Sequence, residues 1–175
     1  MEHTGQNRLL VVVDMQNDFI DGALGTQEAV GIVADVQEKI REKRGEGWTI
    51  LFTRDTHGGD YLSTQEGRKL PVIHCVMGTE GWQIRDGLRE DTDPVIDKPT
   101  FGSMTLVKYC EMTQPQEIEL VGLCTDICVI SNAMLLKAAL PEVPIRVCAR
   151  CCAGVTPQSH RTALEAMKAC QIEII

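Results

Sequence analysis

Apolar and polar positions fall into blocks along the chain, and the blocks carry two different periods. Leu9–Val13 is a continuous, β-branched apolar run ended by Asp14, which predicts a strand buried on both faces. Ala29–Arg41 sets Val30, Ile32, Val33, Val36 and Ile40 near helical spacing, and Gly45 and Gly47 break the chain after it. Further strands are predicted at Trp48–Thr53, Pro94–Asp97, Glu117–Leu123, Pro144–Ala149 and Ile172–Ile175, and helices at Thr105–Glu111, Ile127–Ala139 and Thr156–Ala169. The last helix opens on Thr156-Pro157, an N-cap followed by proline at the first helical position. Asp55 to Gly81 is long, polar and glycine-rich, which marks a functional loop. Alternation of this kind predicts a three-layer α/β/α fold, with a six-stranded, mostly parallel, Rossmann-like sheet. No repeat or linker interrupts residues 1–175, so one domain accounts for the chain.

Composition narrows the function. The 175 residues are 43% hydrophobic and 24% charged, as in a soluble globular protein. No run of about 20 apolar residues predicts a membrane span. The segment Met1–Arg8 is polar without a signal-peptide pattern, and a cytoplasmic location is expected. The net charge of −8 argues against nucleic acid as the main partner. The basic residues of Glu38–Arg44 alternate with acids and read as a solvated helix face. Eight cysteines without a sign of secretion read as reduced thiols. Cys75, Cys110, Cys148 and Cys170 lie in apolar runs and read as small buried hydrophobes, whereas Cys151-Cys152 reads as an exposed loop pair.

In open α/β sheets, sites form beyond the C-terminal ends of the strands. That rule selects Asp14 after the first strand, Asp55 and His57 after the second, and Lys98 after the third. After the fourth comes Cys124-Thr125-Asp126-Ile127-Cys128, which opens a helix. A cysteine in a first helical turn is favoured as thiolate, and Lys98 would lower its pKa further. Asp14 could accept the thiol proton and later return it to a leaving amine, while loop N–H groups hold an oxyanion. Residue types alone leave rivals open. The site could be an inactive small-molecule binder, or Cys124 and Cys128 could form a redox disulfide.

Three segments carry a family resemblance: Val11-Val12-Val13-Asp14-Met15-Gln16-Asn17-Asp18-Phe19, Asp97-Lys98-Pro99-Thr100-Phe101-Gly102-Ser103, and Val121-Gly122-Leu123-Cys124-Thr125-Asp126-Ile127-Cys128-Val129. In order and spacing they resemble the nicotinamidase/isochorismatase-like cysteine hydrolases across nearly the whole chain. The resemblance implies an isochorismatase-like hydrolase fold and a catalytic Asp14–Lys98–Cys128 triad. It also implies a thioester intermediate and a non-proline cis peptide at Leu123–Cys124, with the N–H groups of Cys124 and Cys128 as oxyanion donors. The vinyl-ether-cleaving isochorismatase branch does not keep the cysteine, so Cys128 favours cleavage of a C–N bond in a small linear or heteroaromatic amide. A homo-oligomer is implied as well, and no organic cofactor.

The resemblance further implies a metal beside the triad. Asp55-Thr56-His57 and His74-Cys75 match parts of its ligand set, while Tyr61 stands where a middle histidine is expected. Asp55, His57 and His74 could hold Zn²⁺, Mn²⁺ or Fe²⁺, with Glu66 a candidate fourth ligand. The alternative is that these side chains bond loop backbone and hold nothing. Phe19 and Phe101 match substrate-pocket positions of the family, and ordinary core packing is the alternative for each. Leu70-Pro71 stands where nicotinamidases often have Trp-Pro, which weakens the case for a flat pyridine substrate.

Overall fold

A computed structural model describes residues 7–175; the N-terminal reading at Met1–Gln6 lies outside the described residues. Six strands, β1 (Arg8–Val13), β2 (Thr49–Asp55), β3 (Val95–Lys98), β4 (Glu117–Leu123), β5 (Ile145–Ala153) and β6 (Glu173–Ile174), form one parallel sheet. Their order is β3-β2-β1-β4-β5-β6. β1 and β4 are therefore central, and Val11, Val12, Val13, Leu120 and Val121 are fully enclosed. Burying each such side chain contributes about 1.5–3 kcal/mol. That burial on both faces is why these strands read as unbroken apolar runs.

Among the described residues, seven α-helices accompany the sheet: α1 (Asn17–Ile20), α2 (Gln27–Gly31), α3 (Val33–Gly45), α4 (Gln65–Lys69), α5 (Met104–Thr113), α6 (Ile130–Ala139) and α7 (Pro157–Ala169). Two core layers result. One joins β-strand side chains to Leu106, Ala133, Leu136 and Met167; the other joins them to Val36, Ile40, Trp48 and Leu88. Thr156 caps α7 through Ser159 N–H, with Pro157 in its first turn, as the sequence indicates.

Several expectations shift. The pattern at Ala29–Arg41 divides into α2 and α3 at Ile32. The Glu38–Arg44 face is not simply solvated. Lys39 is 7% exposed and pairs with the buried Glu119 of β4 at 3.3 Å. A long aliphatic stem lets lysine cross an apolar layer to reach an acid, which a count of charges does not reveal. Cys151 and Cys152 are buried in β5 rather than exposed in a loop, because that strand runs to Ala153, four residues beyond the expected end at Ala149. Cys170 is exposed at the end of α7.

The C-terminal ends of β1 to β4 converge on one rim. Gly122 makes the convergence possible. Its φ is +116°, and a Cβ there would strike the Val13 carbonyl, so only glycine lets β4 lie so close to β1. No helix among the described residues is long and apolar enough to cross a membrane.

Candidate active site

Asp14 leaves β1 with a φ of +47°, a left-handed conformation that Asp tolerates better than most residues. Its side chain is fully buried. Lys98, the last residue of β3, places Nζ 2.6 Å from Asp14 Oδ2 and 3.5 Å from Cys128 Sγ. The same ammonium donates to Thr100 O at 2.9 Å and lies 3.5 Å from Asp55 Oδ1. Thr53 Oγ1 donates to the other Asp14 oxygen at 2.7 Å. Asp14, Lys98 and Cys128, far apart in the chain, thus share one buried contact.

Cys128 belongs to a π-turn, Thr125–Val129, that leads into α6 rather than to the first turn of a regular helix. The preceding Leu123–Cys124 peptide is cis. Burial and the Asp14 charge push the Cys128 thiol up, and Lys98 only partly opposes them. That direction runs against the resting thiolate expected for a first helical turn, because deep enclosure next to a carboxylate disfavours charge on sulfur. A neutral thiol beside Asp14 fits that direction. Burial raises Asp14 above the ordinary carboxylate range, against the pull of Lys98 and Thr53, which makes it a stronger base. Burial disfavours the Lys98 charge, yet Asp14, Cys128 and Asp55 outweigh it and hold the ammonium protonated.

Next to this contact, Asp55, His57, Glu66 and His74 each offer one donor atom, all within 4.8 Å of one another. His57 Nε2 lies 2.9 Å and His74 Nε2 3.6 Å from Asp55 Oδ2. Glu66 Oε1 completes the ring at 3.6 Å from His57 Nε2 and 3.9 Å from His74 Nε2. His74 Nδ1 bonds Val72 O at 2.7 Å, which turns Nε2 inward, an arrangement common behind metal-bound imidazoles. Tyr61 sends its hydroxyl to Leu70 O and only packs its ring on His57 and His74. The donor set of two imidazoles and two carboxylates suits Zn²⁺, Mn²⁺ or Fe²⁺. The hydrogen bond with His57, with His74 and Lys98 nearby, overcomes burial and holds Asp55 well below the usual carboxylate range.

A cavity of about 210 Å³ opens onto both groups. Phe19 and Phe101 line it with Leu24, Leu70, Ile127 and Val155, and Cys128, Asp55 and His74 form its polar wall.

Sequence reasoning missed the residues that hold these groups in place. Gln16 clasps the Asp55 backbone, donating to its carbonyl at 2.8 Å and accepting its N–H at 2.7 Å. Asp18 accepts the Cys75 N–H at 2.7 Å where Cys75 turns left-handed after His74. Asn132 donates to Cys128 O and Phe101 O and accepts Ser103 N–H, tying the lysine loop to α6. His160 of α7 meets the Thr125 hydroxyl at 2.8 Å. Only the four-residue offset from Cys128 to Asn132 was a readable signal, since such pairs share a helix face.

The chain belongs to the nicotinamidase/isochorismatase-like hydrolase family, with the isochorismatase domain model matching residues 8–175. Among its relatives, a nicotinamidase/pyrazinamidase of Mycobacterium tuberculosis is 26% identical over 96% of this chain and 98% of its own length. A probable inactive nicotinamidase of Arabidopsis thaliana is 29% identical, covering 96% of this chain and 91% of that protein. The pyrazinamidase of Pyrococcus horikoshii, solved in complex with zinc, superposes with a TM-score of 0.84 at 30% identity. That match covers 97% of this chain and 98% of the other.

Proposed function

We propose that this chain hydrolyses a small carboxamide, of the nicotinamide type, to the acid and ammonia through a thioester on Cys128. The observation that carries this reading is the buried contact of Asp14, Lys98 and Cys128 at the wall of a small apolar cavity. As Cys128 Sγ attacks the amide carbon, Asp14 takes the thiol proton and Lys98 offsets the charge on sulfur. The N–H groups of Cys124 and Cys128 receive the oxyanion. Asp14 then protonates the departing nitrogen, the C–N bond breaks, and ammonia leaves. A water molecule, deprotonated by Asp14, cleaves the thioester and returns the proton to sulfur.

Asp55, His57, Glu66 and His74 would hold a divalent ion, which supplies a Lewis-acidic anchor for a polar atom of the substrate. Phe19 and Phe101 would flank a flat ring. The cavity volume, about 210 Å³, suits a single ring better than an extended chain. The names carried by the mycobacterial and archaeal relatives support an aromatic amide.

Ammonia release from nicotinamide, pyrazinamide and an N-carbamoyl amine tests the reading. Release is expected from the aromatic amides. A chelator should lower it about 100-fold, the rate equivalent of a few kcal/mol of electrostatic stabilisation, and added Zn²⁺ or Mn²⁺ should restore it. No release from any amide, by metal-loaded protein, would overturn the amidase assignment. Undiminished release after chelation would remove the metal from it.

A further inference from the structure

The chain's one C-x-x-C spacing is Cys148-Ala149-Arg150-Cys151, in β5 and outside the lining of the cavity. In a regular strand, positions three apart face opposite sides of the sheet. Here the pairing with β4 jumps from Leu120↔Val147 to Gly122↔Cys152, so residues 148–151 lie opposite Val121 alone. This bulge brings both sulfurs to one face. Cys148 and Cys151 share the layer of Val36 and Ile40, whereas Cys152 belongs to the opposite layer. The two sulfurs are neighbours in their shared layer and perturb each other's ionisation.

Their surroundings are charged for so deep a site. Lys39 reaches in from α3, paired with Glu119 at 3.3 Å, and Lys43 lies 3.7 Å from the same carboxylate. Asp35 O lies 3.6 Å from Cys151 Sγ, and the exposed Arg150 side chain pairs with the Asp35 carboxylate. The neighbouring Cys151 and the Lys39 charge outweigh burial and Glu119, and pull the Cys148 thiol down to about 6. Cys151 is pushed up and stays protonated. Burial raises Cys75, Cys110, Cys124 and Cys152 as well. A nucleophilic thiolate beside a protonated partner is the asymmetry on which dithiol redox chemistry depends.

We propose that Cys148 and Cys151 form a reversible two-electron redox site, oxidised to a disulfide by small hydroperoxides. The Cys148 thiolate attacks hydrogen peroxide. The O–O bond breaks, hydroxide leaves and takes a proton as water, and Cys148 becomes a sulfenic acid. Cys151 sulfur then attacks the Cys148 sulfur, forming S–S and breaking S–O, and its proton leaves with the hydroxyl as a second water. The two thiols lose two electrons and the peroxide gains them. Cys148 is 3% and Cys151 0% exposed, which favours a small oxidant over a protein disulfide. An added dithiol reverses the reaction once the bulge opens. None of this depends on amide hydrolysis.

The test treats the purified, reduced protein with a small excess of hydrogen peroxide at neutral pH. Remaining thiols are capped with iodoacetamide under denaturation, and unreduced peptides are mapped by mass spectrometry. A link between the peptides of Cys148 and Cys151, short of two hydrogens and reversed by dithiothreitol, is expected before any other cysteine pair forms. Cys152→Ser should keep the link. Cys151→Ser should lose it and leave a sulfenic acid that dimedone captures on Cys148. A first disulfide elsewhere, such as Cys124–Cys128, would overturn the proposal. So would wild-type Cys148 that stays reduced, or that passes to sulfinic acid unlinked.

Discussion

Cys128→Ala is expected to lower amide turnover by about 10⁴-fold or more, the range seen when a covalent nucleophile is removed from an acting unit. Circular dichroism and the melting temperature should stay close to those of the parent. The substitution removes one sulfur atom from a buried wall, costing about 1 kcal/mol through lost packing, and takes away a polar group that burial disfavours. Retained turnover in the folded variant would show that another group performs the attack. An inert binding protein on the same scaffold predicts no difference between parent and variant, because neither would release ammonia.

The second large effect falls on stability. Lys98→Met should lower unfolding free energy by about 3–5 kcal/mol, the usual result of removing one partner from a buried ion pair. The reason lies in the neighbours. Lys98 Nζ is 2.6 Å from Asp14 and 3.5 Å from Asp55, and both carboxylates are buried. Without the ammonium the two acids face each other at low dielectric. Asp14→Asn added to Lys98→Met should recover part of the loss by removing one of those charges, with no return of activity. Denaturant titration checks both variants. A Lys98→Met protein as stable as the parent would mean that water, rather than Lys98, compensates Asp14.

Much of this arrangement was readable in the sequence, and the reasons differ by element. β1 and β4 stood out because strands covered on both faces must be apolar throughout. Asp14, Asp55 and Cys128 could be selected because a parallel sheet gathers the C-terminal ends of its strands. Their immediate environment was not readable. Burial of Cys128 beside Asp14 reverses the expected sign of its pKa shift, and burial is a property of the packed molecule. Glu66 joins the histidines only because α4 turns it inward, and the hydrogen bond of Tyr61 to Leu70 O removes the competing phenol. The meeting of Cys148 and Cys151 required a bulge, and nothing in the local residue pattern places an irregularity at Val121. Lys39 was misjudged for a related reason: sequence gives its helix face but not the buried Glu119 opposite.

Acid quenching of a single turnover with nicotinamide, followed by peptide mass mapping, tests the central claim most directly. The account predicts a transient acyl group on the Cys128 peptide, absent in Cys128→Ala and lost at the rate at which nicotinate appears. Ammonia released at the same rate from a protein whose Cys128 never carries the acyl mass would contradict it.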